Sequence, residues 1–455
     1  MASTPSTPIV APASPSNSIL RRSALVASLG GLLFGFDTAV IAGATRALEG
    51  EYSLSPAALG FTVSSALWGT VLGSLFAGAP SDRYGRRICL RVLAVFYVAS
   101  ALGCAFAWNW YSFLFFRALG GLAIGGSSVI SPTYIAEISP PARRGRLVGM
   151  FQFNVVFGIL LAYVSNYGVG RFQLGAADWR WKLGVAAVPA LLFLVALFTI
   201  PESPRWLATK GRFPEALEVI RLTGEPEPER ELAEIRASLG TTGESPREAL
   251  FQWKYRLPIY LAISIGLFNQ LSGINAILYY LNDIFERAGF DRLSSDLQAV
   301  IIGVTNLMAV TCAMAMIDRI GRRQLLLIGS VGCAICLAGV GAIFATRTYQ
   351  SALVWFLVGF IGFFSFSQGA VIWVYISEIF PNRVRAKGQS LGSFTHWFMN
   401  AIVSGLFPVL AHSWGALPFF FFAAVMAVQF FVVWLTFPET RGVSLEAMEK
   451  KLQIG

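Results

Sequence analysis

Asp37 and Arg117 are charged side chains set inside long apolar stretches, Gly31-Leu32-Leu33-Phe34-Gly35-Phe36-Asp37-Thr38 and Phe113-Leu114-Phe115-Phe116-Arg117-Ala118-Leu119. Each is costly in hydrocarbon unless it is paired or faces water. Side by side they form a simple proton switch. The guanidinium favours the ionised carboxyl, and when water or rearrangement loosens the pair the carboxyl takes a proton. The alternative is a static ion pair that only joins two helices. A second set of charges repeats along the chain. Asp82-Arg83-Tyr84-Gly85-Arg86-Arg87 returns 236 residues later as Asp318-Arg319-Ile320-Gly321-Arg322-Arg323. Glu137 with Arg144 returns 241 residues later as Glu378 with Arg385, and Pro201-Glu202-Ser203-Pro204-Arg205 has an echo 237 residues on in Pro438-Glu439-Thr440-Arg441. These charges predict either surface salt bridges or a latch whose halves meet and part.

The elements that carry these residues follow from composition. Of 455 residues, 55% are hydrophobic and only 13% charged, and Phe alone occurs 37 times. An average soluble domain is roughly a quarter charged, which excludes a soluble enzyme, a disordered chain and a small disulfide scaffold. Mean hydropathy is +0.62. Apolar runs long enough to cross a hydrocarbon core of about 30 Å lie near 23–45, 57–79, 88–107, 112–135, 147–167 and 181–200. Six more lie near 257–281, 297–317, 324–345, 352–376, 389–411 and 415–436. The pattern predicts an all-α membrane protein of twelve transmembrane helices. We expect a disordered tail over 1–22, a six-helix bundle over 23–204, a helical linker over 205–256, a second bundle over 257–437 and a short tail over 438–455. Three motifs recurring in one order make the bundles pseudo-symmetric about an axis along the membrane normal.

Orientation follows from the loop cations. Arg83, Arg86, Arg87, Arg143, Arg144, Arg146, Arg319, Arg322, Arg323, Arg383, Arg385 and Lys387 fall on one side, which is expected to be cytoplasmic, with both termini and the linker. That rule also accounts for the net charge of +10 without nucleic acid. Asp37 then lies about 21 Å up its helix, or about 9 Å below the far edge of the core, and Arg117 about 8 Å deep from that edge. The depths match, so the pair is geometrically reasonable.

With these residues in place, the chain resembles the sugar porter family of the major facilitator superfamily, from about residue 23 to 445. The likeness rests on the paired loop motifs, on Gly31 to Thr38, on Pro201-Glu202-Ser203-Pro204-Arg205 and on Gln270-Leu271-Ser272-Gly273-Ile274-Asn275. It implies movement of a monosaccharide or polyol by alternating access, either as a proton symporter through Asp37 and Arg117 or as a facilitative uniporter. A transporter-like nutrient sensor is the less favoured third reading. A sugar is uncharged and rich in hydroxyls, so its site needs amides and aromatic faces. Gln152, Asn269, Gln270, Asn275, Asn306, Trp373, His396, Trp397 and Asn400 supply them, and the resemblance places sugar contacts at most of these positions. The competing role for any one amide is a helix–helix hydrogen bond. Tyr279 and Tyr280 are candidates for an outer gate.

Gln270 and Asn275 are five residues apart, about 140° round a straight helix. They can face one cavity only if the helix breaks, and Ser272-Gly273 is the expected place. Two departures from the family touch this region: no proline stands in Ser367-Gln368-Gly369-Ala370-Val371-Ile372, and His396 replaces the usual Gln or Asn. A neutral, hydrogen-bonding His396 is the favoured state over a titrating one. The latch is assigned to Asp82, Arg86, Arg87, Glu137, Arg144, Glu202 and Arg205 with Asp318, Arg322, Arg323, Glu378, Arg385 and Glu439.

No enzyme, cofactor or metal site is expected. The only histidines are His396 and His412, Cys333 and Cys336 form an isolated CxxC in an apolar run, and no GxxxxGK[ST] loop occurs. Gly121 and Gly125 read as helix packing rather than as a nucleotide loop. The expected partners are a monosaccharide, a proton and the lipid bilayer of the cell membrane, with the chain monomeric.

Overall fold

The computed structural model describes residues 18–241, 248–381, 383–443 and 445–452. The tail expected over 1–22 lies outside the described residues up to position 17, and the first helix already runs from Ser18. Among the described residues, twelve helices are long and apolar enough to cross a membrane. The first six span Ser18–Gly43, Pro56–Phe76, Arg86–Ala105, Trp110–Ile138, Arg143–Gly170 and Gly175–Ala196. The second six span Trp253–Tyr279, Arg292–Ile320, Arg322–Thr346, Gln350–Ile379, Arg385–Trp414 and Leu417–Thr436. The expected spans are all present, most of them several residues longer than their apolar runs because polar ends continue the helix into the loops.

Local chemistry sets where these helices begin. Asn109 and Ser112 form a reciprocal capping box at the start of the fourth span, with Asn109 Oδ1 accepting from Ser112 N at 2.8 Å. Ser55 caps the second span just ahead of Pro56, and Asp291 caps the eighth. Both use side-chain oxygens to satisfy amides that have no partner within the helix. Gly121 and Gly125 do pack helices: a Cβ on either would stand about 2 Å from the carbonyl oxygen of Ala66 or Thr70, so the second and fourth spans touch backbone to backbone.

The linker carries three helices, Pro204–Thr209, Phe213–Leu222 and Pro228–Thr241. They share a small apolar core of Trp206, Leu207, Val219, Ile220 and Ile235. Trp206 Nε1 donates to the Asp82 carbonyl at 2.9 Å, which ties the linker to the Arg-rich end of the first bundle. A short helix, Leu445–Lys451, follows the last span.

The two bundles meet along a buried apolar cluster that includes Ile159 and Tyr163 from one and Ile277, Leu278 and Trp397 from the other. Among the described residues, the side-chain bonds that link the bundles gather at the end opposite the Arg-rich loops. There Tyr163 Oη donates to Leu278 O at 2.9 Å, Thr45 Oγ1 to Asp283 Oδ1 at 3.1 Å, and Lys182 Nζ to Asp296 Oδ2 at 2.9 Å. Arg46 pairs with Glu286 at the same end. The molecule is therefore fastened at that end, with the repeated Arg-rich motifs at the other.

Candidate functional site

Asp37 belongs to the first span and Arg117 to the fourth, whose register is fixed by the Asn109 cap. Arg117 Nη1 donates to Asp37 Oδ1 at 2.8 Å, and the side chains keep only 4% and 15% of their exposure. The pair inferred from matched depths is real. It is also incomplete, because Asp37 Oδ2 and Arg117 Nε are buried without a hydrogen-bond partner.

The amides converge on one cavity. Gln152, Asn269, Asn275, Asn306, Trp373, His396, Trp397 and Asn400 all line it, together with Phe34, Thr38, Tyr279 and Ser365. Gln270 does not line it; it stands one layer behind. Its Nε2 donates to Asn269 Oδ1 at 3.1 Å and lies 3.1 Å from His396 Nδ1, while its Oε1 accepts from Asn275 Nδ2 at 2.9 Å. The seventh span breaks as expected: one helix ends at Leu271, Gly273 adopts φ +80°, and the next runs Ile274–Tyr279. A side chain at that φ is strained, so Gly is required. The tenth span breaks at Ser367, between Leu353–Phe366 and Gln368–Ile379. Ser367 Oγ takes the Phe363 carbonyl at 2.6 Å, a side-chain capture that opens the helix without a proline.

Rings finish the walls. The His396 ring centroid lies 5.0 Å from those of Trp373 and Trp397, and Trp397 lies 5.3 Å from Phe34. Asn306 Oδ1 accepts from Ser365 Oγ at 2.7 Å, and Asn400 Nδ2 reaches Tyr279 Oη at 3.4 Å. The space beside Asp37 and Arg117 shares Phe34, Thr38, Tyr279 and Trp397 with this cavity. One set of side chains therefore stands between the ion pair and the amide-lined space.

The family described as sugar (and other) transporter matches residues 23–452 of the chain. An arabinose-proton symporter of Bacillus subtilis is 37% identical over 431 residues, covering 93% of each chain. A D-xylose-proton symporter of Escherichia coli is 34% identical over 463 residues, covering 93% of this chain and 94% of the relative. The inward-open conformation of the xylose transporter XylE from E. coli superposes with a TM-score of 0.85 at 33% identity, over 95% of this chain and 99% of that one.

The chain belongs to the sugar transporter family.

In this transporter, a membrane protein of the major facilitator fold, the duplicated motifs build the same network twice. Arg86 grips Glu137 through Nε and Nη2, both at 3.0 Å, and Asp82 through Nη1 at 2.8 Å. Arg322 grips Glu378 at 3.1 and 2.8 Å and Asp318 at 2.8 Å. Ser203 and Thr440 each add a hydroxyl to the same glutamates. Glu202 accepts from the amides of Arg86, Arg87 and Ser203, and Glu439 from those of Arg322, Arg323, Thr440 and Arg441. Each glutamate thus caps the helix that starts within the repeated motif, at Arg86 or Arg322.

All of these bonds stay within one bundle. Arg144 and Arg385 are not in them; they reach the backbone carbonyls of Ser139 and Phe380 at 3.4 and 3.3 Å. Arg87 and Arg323 bond the carbonyls of Ile200 and Trp434, and Arg205 is exposed. Glu137 and Glu378 are thus paired with Arg86 and Arg322 in this conformation, and Arg144 and Arg385 stand outside both networks.

Sequence reasoning overlooked the charges at the other end. Asp178, Lys182, Arg292 and Asp296 come together there, with Lys182 and Asp296 almost fully buried. A signal was available: each bundle contributes an acid and a base four residues apart at the start of a span.

Proposed function

We propose that the protein is a proton-coupled monosaccharide symporter that works by alternating access, with Asp37 and Arg117 as the proton switch. The amide-lined cavity is the sugar site. The Arg-rich end is cytoplasmic, both termini lie inside, and one chain in the cell membrane is the working unit. The relatives named for arabinose-proton and xylose-proton symport support the substrate class and the coupling. The observation that carries the proposal is the shared wall of Phe34, Thr38, Tyr279 and Trp397 between the ion pair and the sugar cavity.

The physical cycle follows from that wall. Arg117 holds Asp37 Oδ1 at 2.8 Å and leaves Oδ2 without a hydrogen-bond partner. Sugar in the cavity moves Tyr279 and Trp397, the pair loosens, and the carboxyl takes a proton at its unpartnered Oδ2. With the carboxyl neutral, Asp37 no longer holds Arg117 as an ion pair, and the first and fourth spans are released to move as the molecule turns over. When the inner ends close, the two Arg-rich sets approach each other and Arg144 and Arg385 find acidic partners, which forms the latch.

Uptake into proteoliposomes across a panel of labelled pentoses and hexoses, recorded with external pH, tests the proposal. Addition of a transported sugar is expected to make the medium alkaline. Sugar uptake with no proton movement would identify a facilitator of the same architecture instead.

A further inference from the structure

At the outer end, the first bundle contributes Asp178 and Lys182 from the sixth span, and the second contributes Arg292 and Asp296 from the eighth. Lys182 Nζ lies 2.9 Å from Asp296 Oδ2 and 3.3 Å from Asp178 Oδ2, and Arg292 Nη2 bonds Asp178 Oδ2. The side chains of Lys182, Asp296 and Asp178 are 0%, 1% and 4% exposed. Asn282, just beyond the seventh span, donates to the other oxygen of Asp296. This buried cluster crosses the interface that must open when the outer mouth opens.

A buried ion pair that loses one partner leaves an uncompensated charge, which opposes separation. This cluster avoids that. Asp178 and Lys182 are one helical turn apart and already in contact, and Asp178 Oδ1 is buried with no partner. Arg292 and Asp296 are likewise four residues apart on one helix, a spacing at which side chains meet. Each bundle therefore carries one acid and one base of its own. On separation the cross-pairs Lys182–Asp296 and Arg292–Asp178 exchange for the pairs Lys182–Asp178 and Arg292–Asp296, and no charge is stranded. Gly170, at the end of the fifth span, makes room for the exchange: a Cβ there would stand 2.9 Å from Asp296 Oδ2 and 3.8 Å from Lys182 Nζ.

We infer that Lys182 and Asp296, with Asp178 and Arg292 as their exchange partners and Gly170 as the space they need, form an outer clasp that sets how often the outer mouth opens. They are positioning residues for transport, remote from the sugar and the proton. The inference rests on the alternating-access proposal, yet its test reads the outer mouth directly and does not require sugar to move.

Spin labels at Phe172 and Trp355, exposed at the outer ends of the two bundles, report their separation in the full chain in lipid. Asp296→Asn and Lys182→Met are each expected to enlarge the long-distance population at least about fivefold, within the usual range for conformational coupling. The double variant is expected to do no more than either single, since both remove the same pair. Gly170→Val, which removes no charge, is expected to act in the same direction by wedging the pair. Unchanged distances in Gly170→Val, or in either charge variant that folds, overturn the clasp. So do fully additive effects in the double variant.

Discussion

Asn275 donates a 2.9 Å hydrogen bond to Gln270 across the break at Gly273, which brings two amides to one side that a continuous helix would hold apart. The bond exists because Gly273 takes φ +80°, and a Cβ there would also stand 2.3 Å from the ring of Phe422. Gly273→Ala therefore meets both backbone strain and overlap, together about 1–3 kcal/mol or more. Transport is expected to fall by roughly tenfold or more, through a raised half-saturation constant for sugar. Uptake kinetics equal to the unmodified protein's would show that the break does not shape the site.

His396 sits between Trp373 and Trp397 with Gln270 at its ring nitrogen. His396→Gln preserves a neutral hydrogen-bonding side chain and is expected to transport within a few-fold of the original, with an altered order of preferred sugars. His396→Ala leaves Gln270 short of a partner and opens space, a loss of about 1–3 kcal/mol in sugar affinity. On the expectation that His396 is a neutral hydrogen-bonding group, the pH profile of sugar exchange in His396→Gln is expected to overlay the original. A displaced profile would assign His396 a titrating role.

Glu439 offers a clear pH dependence. Burial pushes its carboxyl upward, but the amides of Arg441, Arg322, Arg323 and Thr440 outweigh that and hold it below the ordinary 4.5. A carboxyl lowered in the folded state stabilises the fold above its unfolded value and loses that contribution as pH falls through the folded one. Glu439→Gln is thus expected to cost about 1 kcal/mol, a typical cap contribution, at neutral pH. The difference should shrink as pH falls below 4.5. Thermal unfolding in detergent from pH 7 to 3.5 measures it, and a difference that grows on acidification would contradict the capping role.

Arg144 stands apart from the Arg86–Glu137 network and reaches only a backbone carbonyl at 3.4 Å among its described bonds. Arg144→Gln therefore leaves the present conformation intact while removing a partner for the latch of the opposite state. The resting population is expected to move toward inward-open, with slower net uptake. Cysteine probes in the inner cavity report it, and unchanged labelling would remove Arg144 from the latch.

Much of this was legible in the sequence because a bilayer imposes simple rules. Runs of about 20 apolar residues had to be helices, and an acid and a guanidinium at equal depth, Asp37 and Arg117, had to find each other or water. The break at Gly273 was legible because two amides five residues apart cannot share a straight face. Gln270 was misplaced by one layer, since periodicity gives a helix face but not which of two neighbouring amides shields the other. The partners of Arg86 and Arg322 were foreseeable as acids, yet Glu202 and Glu439 turned out to be helix caps, a role set by the local chain turn rather than by charge spacing. The Lys182–Asp296 pair went unseen because its members lie 114 positions apart and only the tertiary fold unites them.

The central claim is that protonation of Asp37 couples the ion pair to sugar movement. Asp37→Asn in proteoliposomes tests it most directly, with uphill accumulation under an inward proton gradient and sugar counterflow exchange measured on the same preparation. The variant is expected to lose accumulation and to retain exchange, since a neutral amide permits turnover but cannot release a proton. Accumulation that persists in Asp37→Asn contradicts the account.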